Sequence, residues 1–223
     1  MEPRLKAPSS SPRCSRTSAG GTTVAAGAPV FVTRGAKATL IRPTAGTVRV
    51  EGWDVREAAH EVRQRIGVIS HQTLLYDDLT ASENLLFYGR MYGLRDLRTR
   101  AAHALEQVGL ADRGDDRAGG FSRGMKQRLS IARSTLHDPS VLLLDEPFTG
   151  LDPSASEMLS HLLGTLKGAG RTVVMITHDI VHGLDLADRV ALLVQGRWAY
   201  QADAAGMDAG QLKAVYEQHV QMA

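Results

Sequence analysis

Two adjacent carboxylates follow an apolar run in VLLLDEP: Val141 to Leu144, then Asp145 and Glu146, then Pro147. An Asp at the end of a buried strand can hold Mg²⁺, a cation that takes oxygen ligands and keeps part of its water shell. A Glu beside it can orient or deprotonate a water for attack on a phosphoryl group. Read alone, the string also fits a strand that ends in solvated acids, with Pro147 as a plain breaker. His178 closes a second apolar run, TVVMITH, 33 residues after Asp145. An imidazole there could touch a terminal phosphate, although a lone His at a strand end more often has a structural role. Upstream, FSRGMKQRLSIAR (121–133) places Ser122 and Gly124 just ahead of a helix. Backbone N–H groups and a hydroxyl at a helix start bind phosphate, and Lys126 and Arg128 are expected to add positive charge nearby.

These residues need elements to hold them. TVRVEGWDV alternates and breaks at Gly52, which predicts a half-buried strand and a turn. Residues 57–65 predict a short helix and 66–70 a short buried strand. LTASENLLFYGRMYGL (79–94) opens with a capping signal at Thr80, Ser82 and Glu83 and continues at helical spacing. Leu97 to Val108, ended by Gly109, and Ser122 to Leu136 predict two more helices, so 79–136 reads as a helical insert. Strand and helix then alternate: VLLLD, a helix over 154–170, TVVMITH, a helix over 179–187, and RVALLVQGRW as strand and turn. Near-continuous apolar strands between helices imply a parallel sheet covered on both faces. In such a sheet ligands gather at the carboxyl ends of the strands, which is where Asp145, Glu146 and His178 stand.

Composition sets broad bounds. At 223 residues the chain suits one domain with a subdomain. It is 43% hydrophobic and 22% charged with a net charge of +2, which singles out no partner. The single cysteine, Cys14, excludes a disulfide framework or a cysteine-rich metal site. No run approaches the length of a membrane span. The charge is uneven: residues 1–40 hold four Arg and two Lys against Glu2, a balance of +5 that leaves −3 for the rest. That segment is rich in Ser, Pro, Gly and Thr. Its composition is like that of an organelle transit peptide, but the expectation is an atypical, disordered N-terminal segment.

Together the motifs resemble the nucleotide-binding subunit of an ABC transporter, over residues 41 to about 200. VLLLDEP matches the Walker B motif, which implies Asp145 at the magnesium position and Glu146 as catalytic glutamate. TGLD, ending at Asp152, matches the D-loop, and His178 the switch histidine. FSRGM stands where the family has LSGGQ: Ser122 and Gly124 keep the phosphate-contacting positions, while Arg123 replaces a glycine and Met125 a glutamine. Gln72 matches the Q-loop glutamine, which reaches toward magnesium and the transmembrane partner. The resemblance implies an α/β fold of the P-loop NTPase type, a mostly parallel sheet flanked by helices with a helical subdomain (about 79–136) that carries the signature. It implies a nucleotide-binding domain over 41–223, ATP and Mg²⁺ as cofactors, and transmembrane permease subunits as partners. It also implies a dimer with itself or another ATP-binding subunit, no nucleic acid, and a peripheral place on the cytoplasmic face of the membrane. SHQTLLYDDLTASENLLFYGRMYG with FSRGMKQRLSIAR is similar to heme-exporter subunits of cytochrome c maturation.

One motif departs. The sequence contains no G-x-x-x-x-G-K-[ST] string, the loop whose N–H groups and lysine cradle the phosphates. AGGTT (19–23) has Gly21 in place of the lysine. GAKAT (35–39) has Lys37 and Thr39, but Pro43 follows too soon for the helix that such a loop needs. Phe31 is the only aromatic before Trp53, and no clear counterpart of the adenine-stacking aromatic is found. Residues 1–40 are therefore read as foreign to the family's usual N-terminus, through a frameshift, a misplaced start or a gene remnant. Two functions follow: a transport ATPase, or a non-catalytic subunit that supplies only the signature half of an ATP site. A soluble ABC protein of translation or DNA repair fits poorly, because the chain has neither tandem cassettes nor long coiled coils.

Overall fold

The computed structural model describes residues 46–70, 72–195 and 197–221. The expectations for residues 1–40, including AGGTT, GAKAT and Phe31, lie outside the described residues. The turn expected at Gly52 of TVRVEGWDV is present, and the chain doubles back there. It folds into a small antiparallel hairpin of β1 (Arg49–Val50) and β2 (Trp53–Asp54). Glu51 and Gly52, at φ 50° and 86°, are both left-handed, the turn geometry that matches the twist of paired strands. The helix expected at 57–65 is α1 (Ala59–Arg65).

Three apolar runs form the parallel sheet: β3 (Ile66–Ser70), β4 (Val141–Asp145) and β5 (Thr172–Ile176), in the order β3-β4-β5. Three helices intervene between β3 and β4: α2 (Ala81–Met91), α3 (Leu97–Gln107) and α4 (Arg123–Thr135). Thr80 starts α2 with a full capping box, its side chain accepting from the Glu83 N–H while Glu83 accepts from the Thr80 N–H. Gly109 closes the α3 region with φ 63°. After β4 come α5 (Pro153–Gly168) and, beyond β5, α6 (Ile180–Leu186). One core joins the helical segment to the sheet: Ile69, Leu85, Leu105, Leu129, Leu142, Leu144 and Leu159 are all buried in it.

Two features differ from the sequence expectation. Coverage of the sheet is incomplete at β5, where Val174 and Ile176 remain 39% and 38% exposed. The strand and turn expected over 189–198 are present as β6 (Arg189–Val194) and a turn at Gln195, but the chain then pairs back as an unforeseen β7 (Arg197–Asp203), antiparallel to β6, and α7 (Ala209–Gln221) follows. Trp198, Tyr200 and Ala202 alternate through β7, a period-2 signal present in the sequence.

Side chains of α4 close the outer edge of β3. Arg133 and Ser134 donate to the Val68 carbonyl at 3.0 and 2.6 Å, and His137 Nε2 lies 3.2 Å from the Ile66 carbonyl. Two residues apart, those carbonyls leave the strand on the same side, so the helix satisfies an edge that would otherwise be open. The approach is close enough that a Cβ on Gly67 would come within 2.4 Å of the Ser134 carbonyl oxygen. On the other flank, Tyr88 of α2 and Tyr92, which caps its end, complete the clasp. The Arg133 guanidinium lies 5.0 Å over the Tyr88 ring, and Tyr92 stacks on His137 at 3.9 Å.

Burial holds the His137 pKa below its ordinary value; the Arg133 charge reinforces this, and the Ile66 carbonyl and Asp138 oppose it. The unfolded chain therefore takes up a proton near pH 6.5 while the folded chain resists it. Stability is then full above that pH and falls as the pH drops through it. Urea unfolding between about pH 7.5 and about pH 5.5 is expected to show this loss, flattened in His137→Gln. An unchanged slope in the variant would refute the role given to His137.

Candidate functional site

The sheet register decides which predicted residues meet. Ser70 is abreast of Asp145, and Asp145 of Ile176. The three strands thus end together. Gln72 follows on the β3 side, Glu146 on β4, and Thr177 and His178 on β5. The Ser70 hydroxyl donates to the Gln72 carbonyl at 2.7 Å, and the Tyr88 hydroxyl to the Leu74 carbonyl, so the exposed Gln72 sits on a loop tied at both sides.

Glu146 has φ 51°, an uncommon conformation for a residue with a side chain. Its N–H donates to the Ile176 carbonyl at 2.8 Å, which fixes the turn out of β4. Its carboxylate is surrounded by donors. The His178 N–H reaches Oε1 at 3.1 Å, and Oε2 meets His178 Nδ1 at 2.8 Å, the Thr177 hydroxyl at 3.4 Å and the Thr149 hydroxyl at 3.5 Å. The Glu146 side chain is mostly covered, whereas that of His178 is 79% exposed. Sequence reasoning placed Glu146 and His178 but missed Thr149 and Thr177; their only signal is adjacency to the motifs.

Asp145 ends β4 beside Ser70 and Ile176 with its side chain half-buried. For the magnesium expected at Asp145 and Gln72, the donors these residues would offer are oxygens, a carboxylate and an amide, and no group of three His, Cys, Asp or Glu lies among the described residues. That fits a cation bound by one or two protein oxygens and completed by substrate phosphates and water.

Ser122, Gly124 and Asp152 form a second group. Ser122 caps α4, its hydroxyl accepting from the Met125 N–H at 3.2 Å, and Asp152 caps α5, accepting from the Ala155 N–H at 2.9 Å. The two helix starts touch, because a Cβ on Gly124 would lie 3.0 Å from that of Ala155. The charge expected from Lys126 and Arg128 is committed elsewhere. Lys126 pairs with Asp77 at 2.8 Å, and Arg128 donates to the Val108 and Gly109 carbonyls at the end of α3. Arg123 is instead the cation at this place, its guanidinium lying against Gly150.

Behind His178, Asp179 caps α6, and its carboxylate also meets His182 Nδ1 at 2.7 Å. Burial works to raise the Asp179 pKa, but the hydrogen bonds from the His182 side chain and backbone and the His182 charge outweigh it. The group lies below its ordinary value. The sequence reading took Asp179 as the first residue of the helix over 179–187; its cap role and its pairing with His182 were not legible.

Comparisons with known proteins show which family the chain resembles. A family profile described as ABC transporter matches residues 36–149, beginning five residues ahead of 41 and taking in Lys37 and Thr39. The chain is 37% identical over 183 residues to the ABC transporter ATP-binding protein NatA of Bacillus subtilis, covering 81% of this chain and 71% of that protein. It is 40% identical to the daunorubicin/doxorubicin resistance ATP-binding protein DrrA of Streptomyces peucetius, covering 72% and 49%. It is equally identical to the Nod factor export ATP-binding protein I of Burkholderia lata, covering 71% and 53%. The chain thus spans about half the length of several of the relatives it matches. Among solved structures, an ATP-binding subunit of an ABC transporter superposes with a TM-score of 0.70 at 26% identity, over 81% of this chain and 78% of that one. A dimeric ATP-binding cassette bound to ADP and phosphate gives 0.68 at 27%, over 76% and 78%.

Gly150 has φ 71°, and a Cβ there would meet the Arg123 guanidinium at 2.3–2.4 Å. Gly150→Ala is expected to cost about 1–2 kcal/mol, from the left-handed backbone. Because Arg123 ends in a flexible chain, Arg123→Ala should recover little of that cost. A denaturant-unfolding cycle with both substitutions checks this; a coupling larger than about 1 kcal/mol would show that side-chain contact dominates.

Proposed function

The chain belongs to the ABC transporter family, and from that premise we propose that it is the ATP-binding subunit of an exporter. In this reading it couples ATP binding and hydrolysis to movement of a substrate through separate permease subunits. The observation that carries the reading is the shared carboxyl edge of β3, β4 and β5, which gathers Gln72, Asp145, Glu146 and His178. The export direction follows the likeness to Nod factor export ATP-binding proteins. Heme export for cytochrome c biogenesis is the narrower form, supported by the strings around Gln72 and Ser122. In this reading the permease subunits would hold the chain at the cytoplasmic face; no described helix is long and apolar enough to cross a membrane.

Asp145 and Gln72 would hold magnesium, and Ser122, Gly124 and Asp152 would face nucleotide across a dimer. Bound MgATP supplies the transferable phosphoryl group with its charge partly neutralised. Glu146 accepts a proton from the attacking water, using the carboxylate lone pairs left beside its present donors. His178, exposed just beyond β5, would contact a terminal phosphate through its imidazole. Ser122 and the α4 start offer a hydroxyl and N–H groups to phosphate oxygens.

A second reading rests on the sequence itself, which lacks a G-x-x-x-x-G-K-[ST] string. The charge-assisted bonds such a loop provides are worth roughly 1.5–3 kcal/mol each. The chain would then act as a degenerate subunit, offering Ser122 and Gly124 to nucleotide held by an intact partner.

Thermal shift and phosphate release on the purified chain separate the two. For the ATPase, MgATP at a hundred times Kd stabilises by about 2.7 kcal/mol, a rise of roughly 5–10 °C for this size. Glu146→Gln should then keep the shift and lose phosphate release by about 100-fold or more. For the half-site, the chain alone shows no shift, but mixing with an intact subunit raises turnover in a way that Ser122→Ala abolishes. Neither shift nor rescue would sink both readings.

A further inference from the structure

The exposed His178 does not position itself. An ion pair at such exposure contributes little, yet its ring and N–H both converge on Glu146. The backbone from Thr177 to Asp179 must therefore be held from behind, and a closed ring of contacts does so. The Asp179 N–H donates to the Thr177 hydroxyl at 3.0 Å, and that hydroxyl reaches Glu146 Oε2 at 3.4 Å. The Asp179 carboxylate accepts from the His182 N–H at 3.2 Å and meets His182 Nδ1 at 2.7 Å. The His182 ring stacks on Phe148 at 4.7 Å and 24°. Phe148 is buried and lies two residues after Glu146, which returns the ring to its start. The α6 start is also pressed on this segment, since a Cβ on Gly183 would lie 3.3 Å from Thr177 Cγ2.

We propose that His182 is a positioning residue for the Glu146–His178 pair, joining the loop after β4 to the loop after β5 through Phe148 on one side and Asp179 on the other. Both functions of the imidazole are needed. Its flat face packs on Phe148, and its Nδ1–H holds the Asp179 carboxylate. A side chain with only one of them leaves the ring of contacts open. The proposal rests on the reading of Glu146 and His178 as the catalytic pair, but its geometry is testable without nucleotide.

The test is ¹⁵N-edited NMR of the histidine side chains in the nucleotide-free protein at one pH, with the His178 signals assigned from the spectrum of His178→Gln. Wild type should show His178 predominantly as the Nδ1–H form bonded to Glu146. His182→Ala should move it toward the tautomer mixture of a free imidazole, with His182→Phe and His182→Gln between the two. Asp179→Asn, which keeps a capping oxygen but not the charge, should act in the same direction and serves if His182→Ala does not fold. Unchanged His178 signals in the folded variants would overturn the proposal. Where phosphate release is measurable, His182→Ala should lower kcat by about 10- to 100-fold with KM retained. A chain that never releases phosphate would refute the ATPase reading while leaving the NMR result to decide this one.

Discussion

Parallel pairing of β3, β4 and β5 in one register is the constraint on which the site depends. Ser70, Asp145 and Ile176 stand abreast, so whatever follows each strand emerges at one edge. A slip of one residue in any strand would turn its side chains to the opposite face. It would also carry Asp145 or the Glu146 N–H away from the Ile176 carbonyl. The register is fixed by burial on both faces: Ile69, Leu142 and Leu144 lie in one core and Ile66 and Val141 in another, so a slip would exchange side chains between two packed clusters. Stability of the sheet and alignment of the site are thus one requirement.

Helix α4 links that edge to the second group of residues. Its start, at Ser122, packs against the start of α5 after Asp152. Its far end is fastened to β3 through Arg133, Ser134 and His137, and β3 leads into Gln72. A displacement of the helix along its axis must either break the bonds to the Ile66 and Val68 carbonyls or carry β3 with it. The contact between Gly67 and the Ser134 carbonyl leaves no slack for the first option. The signature end and the loop that carries Gln72 are therefore mechanically joined by a rigid element.

Elements with strong period or strong caps were legible in the sequence. The capping box at Thr80, the cap at Ser122 and the apolar strand VLLLD follow from local rules and fell within a residue or two of their observed bounds. What was not legible depends on partners distant in sequence. Lys126 is drawn to Asp77 and Arg128 to the end of α3, so two cations that look available for phosphate are spoken for. Thr149, Thr177 and His182 carry no local signature, because their roles exist only once β4 and β5 are side by side. At Glu51–Gly52 the turn was legible from Gly52, but the pairing of Trp53–Asp54 back onto Arg49–Val50 was not, because alternation is the same on both sides of a turn.

Glu146 shows how these constraints meet in one residue. A left-handed φ on a residue with a Cβ costs of order 1–3 kcal/mol and persists only where the surroundings over-determine it. Here the following Pro147 fixes its own φ, and the Glu146 N–H is taken by Ile176. The carboxylate meets donors from Thr149, Thr177 and His178. The strained turn has a consequence for the two acids. In a continuing strand Asp145 and Glu146 would point to opposite faces. The left-handed step breaks that alternation and lets Glu146 turn toward β5 while Asp145 stays with the end of β4. Under the proposed function the two neighbouring carboxylates would take separate tasks, one toward a cation and one toward a proton. The division is produced by backbone conformation, not by any difference in their chemistry.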